Sequence, residues 1–124
     1  MDIEHVNLVV TDPRRSAELM ERLFDWHVRW RGDALMGGHS IHVGTDDTYL
    51  ALYGPPDVVD EPYSHGYDRP ALAHIGVLVD DLNKVERRVE GEGIETFNHD
   101  STAPGRRFYF FDPDGICFEV ASYS

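Results

Sequence analysis

The sequence predicts an α+β fold built from two βαβββ modules. Three observations carry that prediction. A strand followed at once by a capped helix occurs twice in similar letters. Each copy is followed by three further strand-like runs. A proline-rich break separates the copies.

Laying His5 over His74 brings EHVNLVVTD onto AHIGVLVDD. Val6 then matches Ile75, Leu8 matches Val77, Val10 matches Val79 and Asp12 matches Asp81. Both segments alternate as half-buried strands do. Val6, Leu8 and Val10 share one face, and His5, Asn7 and Val9 share the other. A helix follows each strand. Asp12 suits an N-cap and Pro13 the first helical position, where its missing N–H costs nothing. Leu19, Met20, Leu23 and Phe24 recur at helical spacing, as Leu82, Val85 and Val89 do after Asp81. Gly91 and Gly93 are expected to end the second helix, because glycine takes the left-handed conformation at little cost. Strands are expected near 27–31, 39–44 and 48–53, and again near 94–98, 106–111 and 116–121. GTDDTYLALY lies over DPDGICFEVA, so the repeat persists to its end and Ala51 is the partner of Glu119. The whole chain, 1–124, reads as one domain: module 1 over about 1–54, a linker over about 55–70, and module 2 over about 71–124.

Composition narrows the function classes. The chain has 124 residues, 41% of them hydrophobic and 27% charged, which is globular rather than disordered. Its formal charge of −12 repels phosphate backbones and anionic lipid heads, so neither nucleic acid nor a membrane is an expected partner. No stretch approaches the roughly 20 apolar residues of a membrane helix, and no signal peptide is expected. Cys117 is the single cysteine, and a buried, reduced thiol in a cytoplasmic protein is the expectation.

The repeat also suggests a metal site. His5 and His74 take the same face of equivalent strands, and Glu119 lies on the last strand between the core-facing Phe118 and Val120. A carboxylate there is costly to bury without compensation, and a divalent cation compensates strongly. Two imidazoles and one carboxylate with open positions suit ferrous iron and related ions. A three-residue loop from Pro113 to Gly115 would pair Asp112 with Ile116, and hence Tyr109 with Glu119. Tyr109 then faces the same way as the glutamate, although it reads equally well as a packing aromatic. His42 opposes the core-facing Ile41 and Val43. Asn7, Tyr49, Tyr53 and Arg107 have the parity to contact a substrate, Arg107 reading also as a solvated edge residue. His27, His39, His65 and His99 are expected in or beside loops and exposed, and Trp26 and Trp30 as core or interface residues.

EHVNLVVTD, LAHIGVLVDD and FYFFDPDGICFEV, taken in order, resemble the glyoxalase/bleomycin-resistance/extradiol-dioxygenase superfamily, also called vicinal oxygen chelate. The likeness spans essentially the whole chain. It implies that the modules curl their mixed sheets and pair into a cup around one metal. It implies His5, His74 and Glu119 as ligands, with Fe2+ or Mn2+ ahead of Zn2+ or Ni2+. Glyoxalase I and methylmalonyl-CoA epimerase carry a fourth ligand where this chain has Ala51, so the three-ligand set is closer to extradiol dioxygenases and fosfomycin-resistance thiol transferases. Both have a tyrosine where Tyr109 stands. The fosfomycin enzymes also carry a lysine and serines before it, where this chain has Ser101 and Thr102 and no lysine. The extradiol enzymes carry an acid/base histidine, a role open to His42 or His65.

The expected function is a glyoxalase-family metal enzyme acting on a small oxygen-chelating substrate, with extradiol-dioxygenase-like or lyase-type chemistry. Tyr109 and His42 would be its catalytic side chains. The alternatives are a bleomycin-resistance-like binding protein and a fosfomycin-resistance-like thiol transferase. A homodimer with sites shared between chains is expected, because small relatives with two modules exchange them.

Overall fold

The computed structural model describes residues 1–61, 67–102 and 105–124, in two compact units, Met1–Asp60 and Glu61–Ser124. Unit 1 holds β1 (His5–Val9), α1 (Pro13–Phe24), β2 (His27–Asp33), a short 3-10 turn (Leu35–Gly37), β3 (His39–Gly44) and β4 (Tyr49–Gly54). Unit 2 holds β5 (Ile75–Leu78), α2 (Leu82–Gly91), β6 (Thr96–Asp100), β7 (Arg106–Phe111) and β8 (Cys117–Ser122). The sheets run β1-β4-β3-β2 and β5-β8-β7-β6. In each, the first strand lies parallel to the last and the remaining pairs are antiparallel. This is the α+β arrangement of two βαβββ modules that the repeat predicts. No helix among the described residues is long and apolar enough to cross a membrane.

Alternation decides which face of each sheet is buried. In unit 1, Leu8, Val10, Ile41, Val43, Leu50 and Leu52 are buried, together with Leu19, Met20 and Leu23 of α1. In unit 2, Val77, Phe108, Phe110, Phe118 and Val120 are buried, together with Leu82, Val85 and Val89 of α2. The opposite face of each sheet is left uncovered by its own helix, and the polar and aromatic side chains stand there.

The helix boundaries follow from their caps. The Asp12 carboxylate accepts from the Arg14 and Arg15 amides at 3.1 and 3.2 Å, and that of Asp81 from the Lys84 amide at 3.1 Å. α1 ends at Asp25 in the left-handed region (φ 58°), a conformation aspartate tolerates better than most residues. α2 ends at Gly91, as expected, with Glu92 as its C-cap. Gly93, at φ 78°, takes the left-handed turn that follows.

The β7–β8 hairpin sets the register of the site. Asp112 donates its amide to the Ile116 carbonyl at 2.9 Å, and its carboxylate accepts from the Asp114 and Ile116 amides at 2.9 and 2.8 Å. Gly115 supplies the positive φ of 82°. Tyr109 therefore pairs with Glu119, as the three-residue loop predicts. Asp112 is only 6% exposed, so Asp112→Ala leaves two amides without their acceptor. The expected loss is about 1–3 kcal/mol, read as a lower urea midpoint at unchanged slope.

Candidate metal centre and aromatic faces

The uncovered face of unit 2 gathers around Glu119. His74, immediately before β5, places Nε2 2.8 Å from Glu119 Oε2. Arg107 Nη1 donates to Glu119 Oε1 at 2.7 Å. The Glu119 side chain is 12% exposed, and both its oxygens have a cationic or imidazole partner. This corrects the argument from sequence. The buried carboxylate does not need a metal for compensation, because Arg107 on the neighbouring strand and His74 already provide it. The Tyr67 hydroxyl lies 3.1 Å from His74 Nδ1, which holds the imidazole with Nε2 toward Glu119. Tyr109 meets the His74 ring edge-on at 5.5 Å. Burial, then the Glu119 charge, push its phenol above the usual range, so it stays protonated at neutral pH and can donate.

Two ligand atoms at right angles, each about 2.1 Å from a metal, lie about 3 Å apart. The 2.8 Å between His74 Nε2 and Glu119 Oε2 fits a cation taking both. Among the described residues, no three His, Cys, Asp or Glu side chains gather as a metal-ligand group. Unit 2 contributes this pair, and His5 belongs to unit 1.

The uncovered face of unit 1 is a row of rings. His5 stacks on Tyr49 at 4.9 Å, Tyr49 on His42 at 4.6 Å, and His42 meets Trp30 at 5.0 Å. The Arg29 guanidinium sits 4.5 Å above the Tyr49 ring. Glu4 Oε1 accepts from Tyr49 at 3.3 Å and lies 2.9 Å from His5 Nδ1, so Nε2 is the His5 ring nitrogen not engaged by Glu4. Burial first, then the positive charge of His5 and Arg29, hold the His42 imidazole below its usual pKa. His42 is thus neutral at pH 7. Because its folded pKa is depressed, its contribution to stability is present above pH about 6.5 and is lost as pH falls through the folded pKa. An NMR titration is expected to place its midpoint below 6.5, and Arg29→Gln should raise it. An unmoved midpoint in that variant would remove Arg29 as a cause.

Strict alternation would turn Trp30 toward the core. Instead Val28 pairs with Val43 and Trp30 with His42, so Arg29 is the extra residue of a β-bulge. The bulge turns both Arg29 and Trp30 to the uncovered face. Trp30 is 48% exposed rather than core, and its indole lies over Gly32, where a Cβ would collide with it. The repeat carries the irregularity into unit 2, where β6 shifts register between Phe97 and Asp100 and Asn98 takes φ 52°. His99 therefore turns toward the helix side, 2.5 Å from Glu86 of α2.

The other residues singled out in the sequence fall as follows. Asn7 is exposed, beside Ala51 in register and on the face of His5. Ala51 pairs with His42 as well, so the fourth-ligand position carries a methyl group on that face. Tyr53 shares the parity, but its hydroxyl donates to the Leu35 carbonyl at 2.5 Å and props the 3-10 turn. His27 and His39 open strands β2 and β3, His99 lies within β6, and all three are exposed. His65, offered as an acid/base histidine, lies outside the described residues, as does Pro62 of the linker. Cys117 is free and buried, its thiol pushed up by burial and by the Glu119 charge. Glu4, Arg29, Tyr67 and Phe97 were not singled out from the sequence. Tyr67 fell within the expected linker, and nothing in its local pattern signals contact with His74.

The profile of the Glyoxalase/Bleomycin resistance protein/Dioxygenase superfamily matches residues 2–120. A glutathione transferase FosA from Serratia marcescens is 26% identical over 120 residues, covering 95% of this chain and 78% of that protein. A glyoxylase/bleomycin resistance protein/dioxygenase domain from Frankia sp. EAN1pec superposes with a TM-score of 0.85 at 21% identity, covering 100% and 98% of the two chains. A variant of the fosfomycin resistance protein FosX from Listeria monocytogenes, complexed with Mn(II) and 1S,2S-dihydroxypropylphosphonic acid, superposes at 0.71 with 15% identity, covering 96% and 90%. At these identities the solved structures speak for the fold.

Proposed function

The chain belongs to the glyoxalase/bleomycin resistance protein/dioxygenase superfamily, and on that premise we propose that it is a divalent-metal-dependent enzyme acting on a small substrate held through two neighbouring oxygens. The observation that carries this reading is the convergence of His74 Nε2 and Glu119 Oε2 within 2.8 Å on a face that also presents Tyr109 and Arg107. His5 is the proposed third ligand, and Mn2+ or Fe2+ the proposed ion. Mn(II) in the FosX structure supports that choice. The metal would supply Lewis-acid polarisation of the substrate oxygens. Protonated Tyr109 donates a hydrogen bond to one of those oxygens as charge builds on it. Neutral His42 is the candidate proton acceptor, and Asn7, Tyr49, Tyr53 and Arg107 are candidate substrate contacts.

Within this class, the likeness to FosA and FosX favours attack of a thiol or water on a carbon of an oxyanion-bearing substrate, with the C–O bond at that carbon breaking and its oxygen taking up the nucleophile's proton, over the dioxygenase or lyase chemistry expected from the sequence. This chain lacks the lysine that the fosfomycin-enzyme resemblance implies, and Arg107, held against Glu119, places a cation on the unit 2 face. The proposed assembly is a homodimer whose cups take His5 from one chain and His74 and Glu119 from the other. Supplying Mn(II)-loaded protein with fosfomycin and either glutathione or water, and separately with catechols, tests the reaction class. Conversion of fosfomycin supports the proposal. Ring cleavage of a catechol would return the reading to dioxygenase chemistry, and turnover of neither would exclude both reactions.

A further inference from the structure

Beside the His74–Glu119 pair, unit 2 has a half-open cavity of about 550 Å³ lined by Tyr67, His74, Phe97, Tyr109, Phe111 and Cys117 among others. Its volume falls in the range of small-molecule pockets, about 300–1,000 Å³. The wall is aromatic and continuous. Tyr109 meets His74 at 5.5 Å, Phe97 stacks against Tyr109 at 6.0 Å, and Phe111 stacks against Phe97 at 5.0 Å with 24° between planes. Phe111 is 53% exposed, on a face that α2 does not cover. Polar groups stand at one end of this row and bare ring faces at the other, so the cavity offers two kinds of contact along one line.

We infer that the substrate carries an aromatic group, which lodges against Phe97 and Phe111 while its oxygens lie at the His74–Glu119 end. This inference rests on the metal-enzyme reading above and narrows its substrate class. Rings add to such a wall in offset or edge-on contact, which gains more than burial of an equal alkyl area. A three-carbon phosphonate of the kind bound by the FosX variant carries no ring to stack on Phe97 or Phe111. Unit 1 repeats the pattern on its own uncovered face, where the row from His5 through Tyr49 and His42 ends on the half-exposed indole of Trp30. In both units, the row of rings begins at a candidate ligand histidine and ends at a large ring open to solvent.

The test compares phenylphosphonate with methylphosphonate by calorimetry, on the full chain with and without Mn(II). The two differ in the ring and share the oxyanion. A preference of about tenfold or more for the phenyl compound is expected. Phe111→Ala and Phe97→Ala should each abolish the preference and leave methylphosphonate binding and Mn(II) retention unchanged. Phe111 is exposed enough that its replacement leaves the fold intact, so that variant remains informative if Phe97→Ala unfolds. Equal affinities, or a preference that survives Phe111→Ala, overturn the inference. Binding of neither compound by protein that retains Mn(II) also overturns it and leaves the metal reading standing. A preference for the phenyl compound in protein that never binds Mn(II) keeps the aromatic subsite and overturns the metal reading instead. If Phe111→Ala converts a dimer to monomer, the ring is packing against a second copy and the inference falls.

Discussion

Replacing Glu119 with alanine is expected to reduce Mn(II) affinity by more than about 100-fold, beyond the 10–100-fold typical of residues that only support a ligand. The carboxylate converges through Oε2 with the His74 imidazole nitrogen at 2.8 Å. Its removal takes away a ligand and leaves Arg107 facing the site, so an incoming cation meets a fixed positive charge without its partner. The double variant Glu119→Ala, Arg107→Ala separates the two contributions: it should recover part of the loss by relieving repulsion, but not the part due to the missing ligand. Titration with Mn(II) followed by calorimetry reads both. Metal content in Glu119→Ala equal to the parent would remove Glu119 from the ligand set and undo the proposed metal centre.

A second large effect is expected from complementation. Neither the His5→Ala chain nor the Glu119→Ala chain should hold the metal alone. After subunit exchange, a mixed dimer with shared sites has one cup with all three ligands and one with both lesions. Metal binding should return to about half the sites of those dimers. His5 stands in one unit and His74 with Glu119 in the other, so each unit by itself would carry only part of the proposed ligand set. Because only the assembled cup would hold all the ligands, metal should also stabilise the dimer by linkage, and the midpoint of dissociation should shift with Mn(II) concentration. Native mass spectrometry of the exchanged mixture reads dimer composition and bound metal together. Exchange without any return of metal would place each cup within one chain.

The duplication, and with it the fold class, was legible because burial imposes a period on strands and helices that survives divergence of the letters. Val6, Leu8 and Val10 and their partners Ile75, Val77 and Val79 alternate as a half-buried strand must. Asp12 and Asp81 mark the helix starts because their carboxylates replace missing backbone partners. The pairing of Tyr109 with Glu119 was legible for a similar local reason: a short loop closed by Asp112 and Gly115 leaves one register. Tertiary structure alone decided the rest. A bulge without glycine has no signature in a period-two pattern, so Arg29 and Trp30 came to the uncovered face unannounced. Arg107 reaches Glu119 because neighbouring strands bring a diagonal pair within range of a long side chain, a contact that residue spacing does not encode. Tyr67 meets His74 across the bends at residues 67–71, whose course depends on packing rather than on their own letters. The sequence by itself determined the periodic elements and the parity of their faces, whereas the partners of each side chain within a face depended on register, bulges and loop paths that only the folded chain settles.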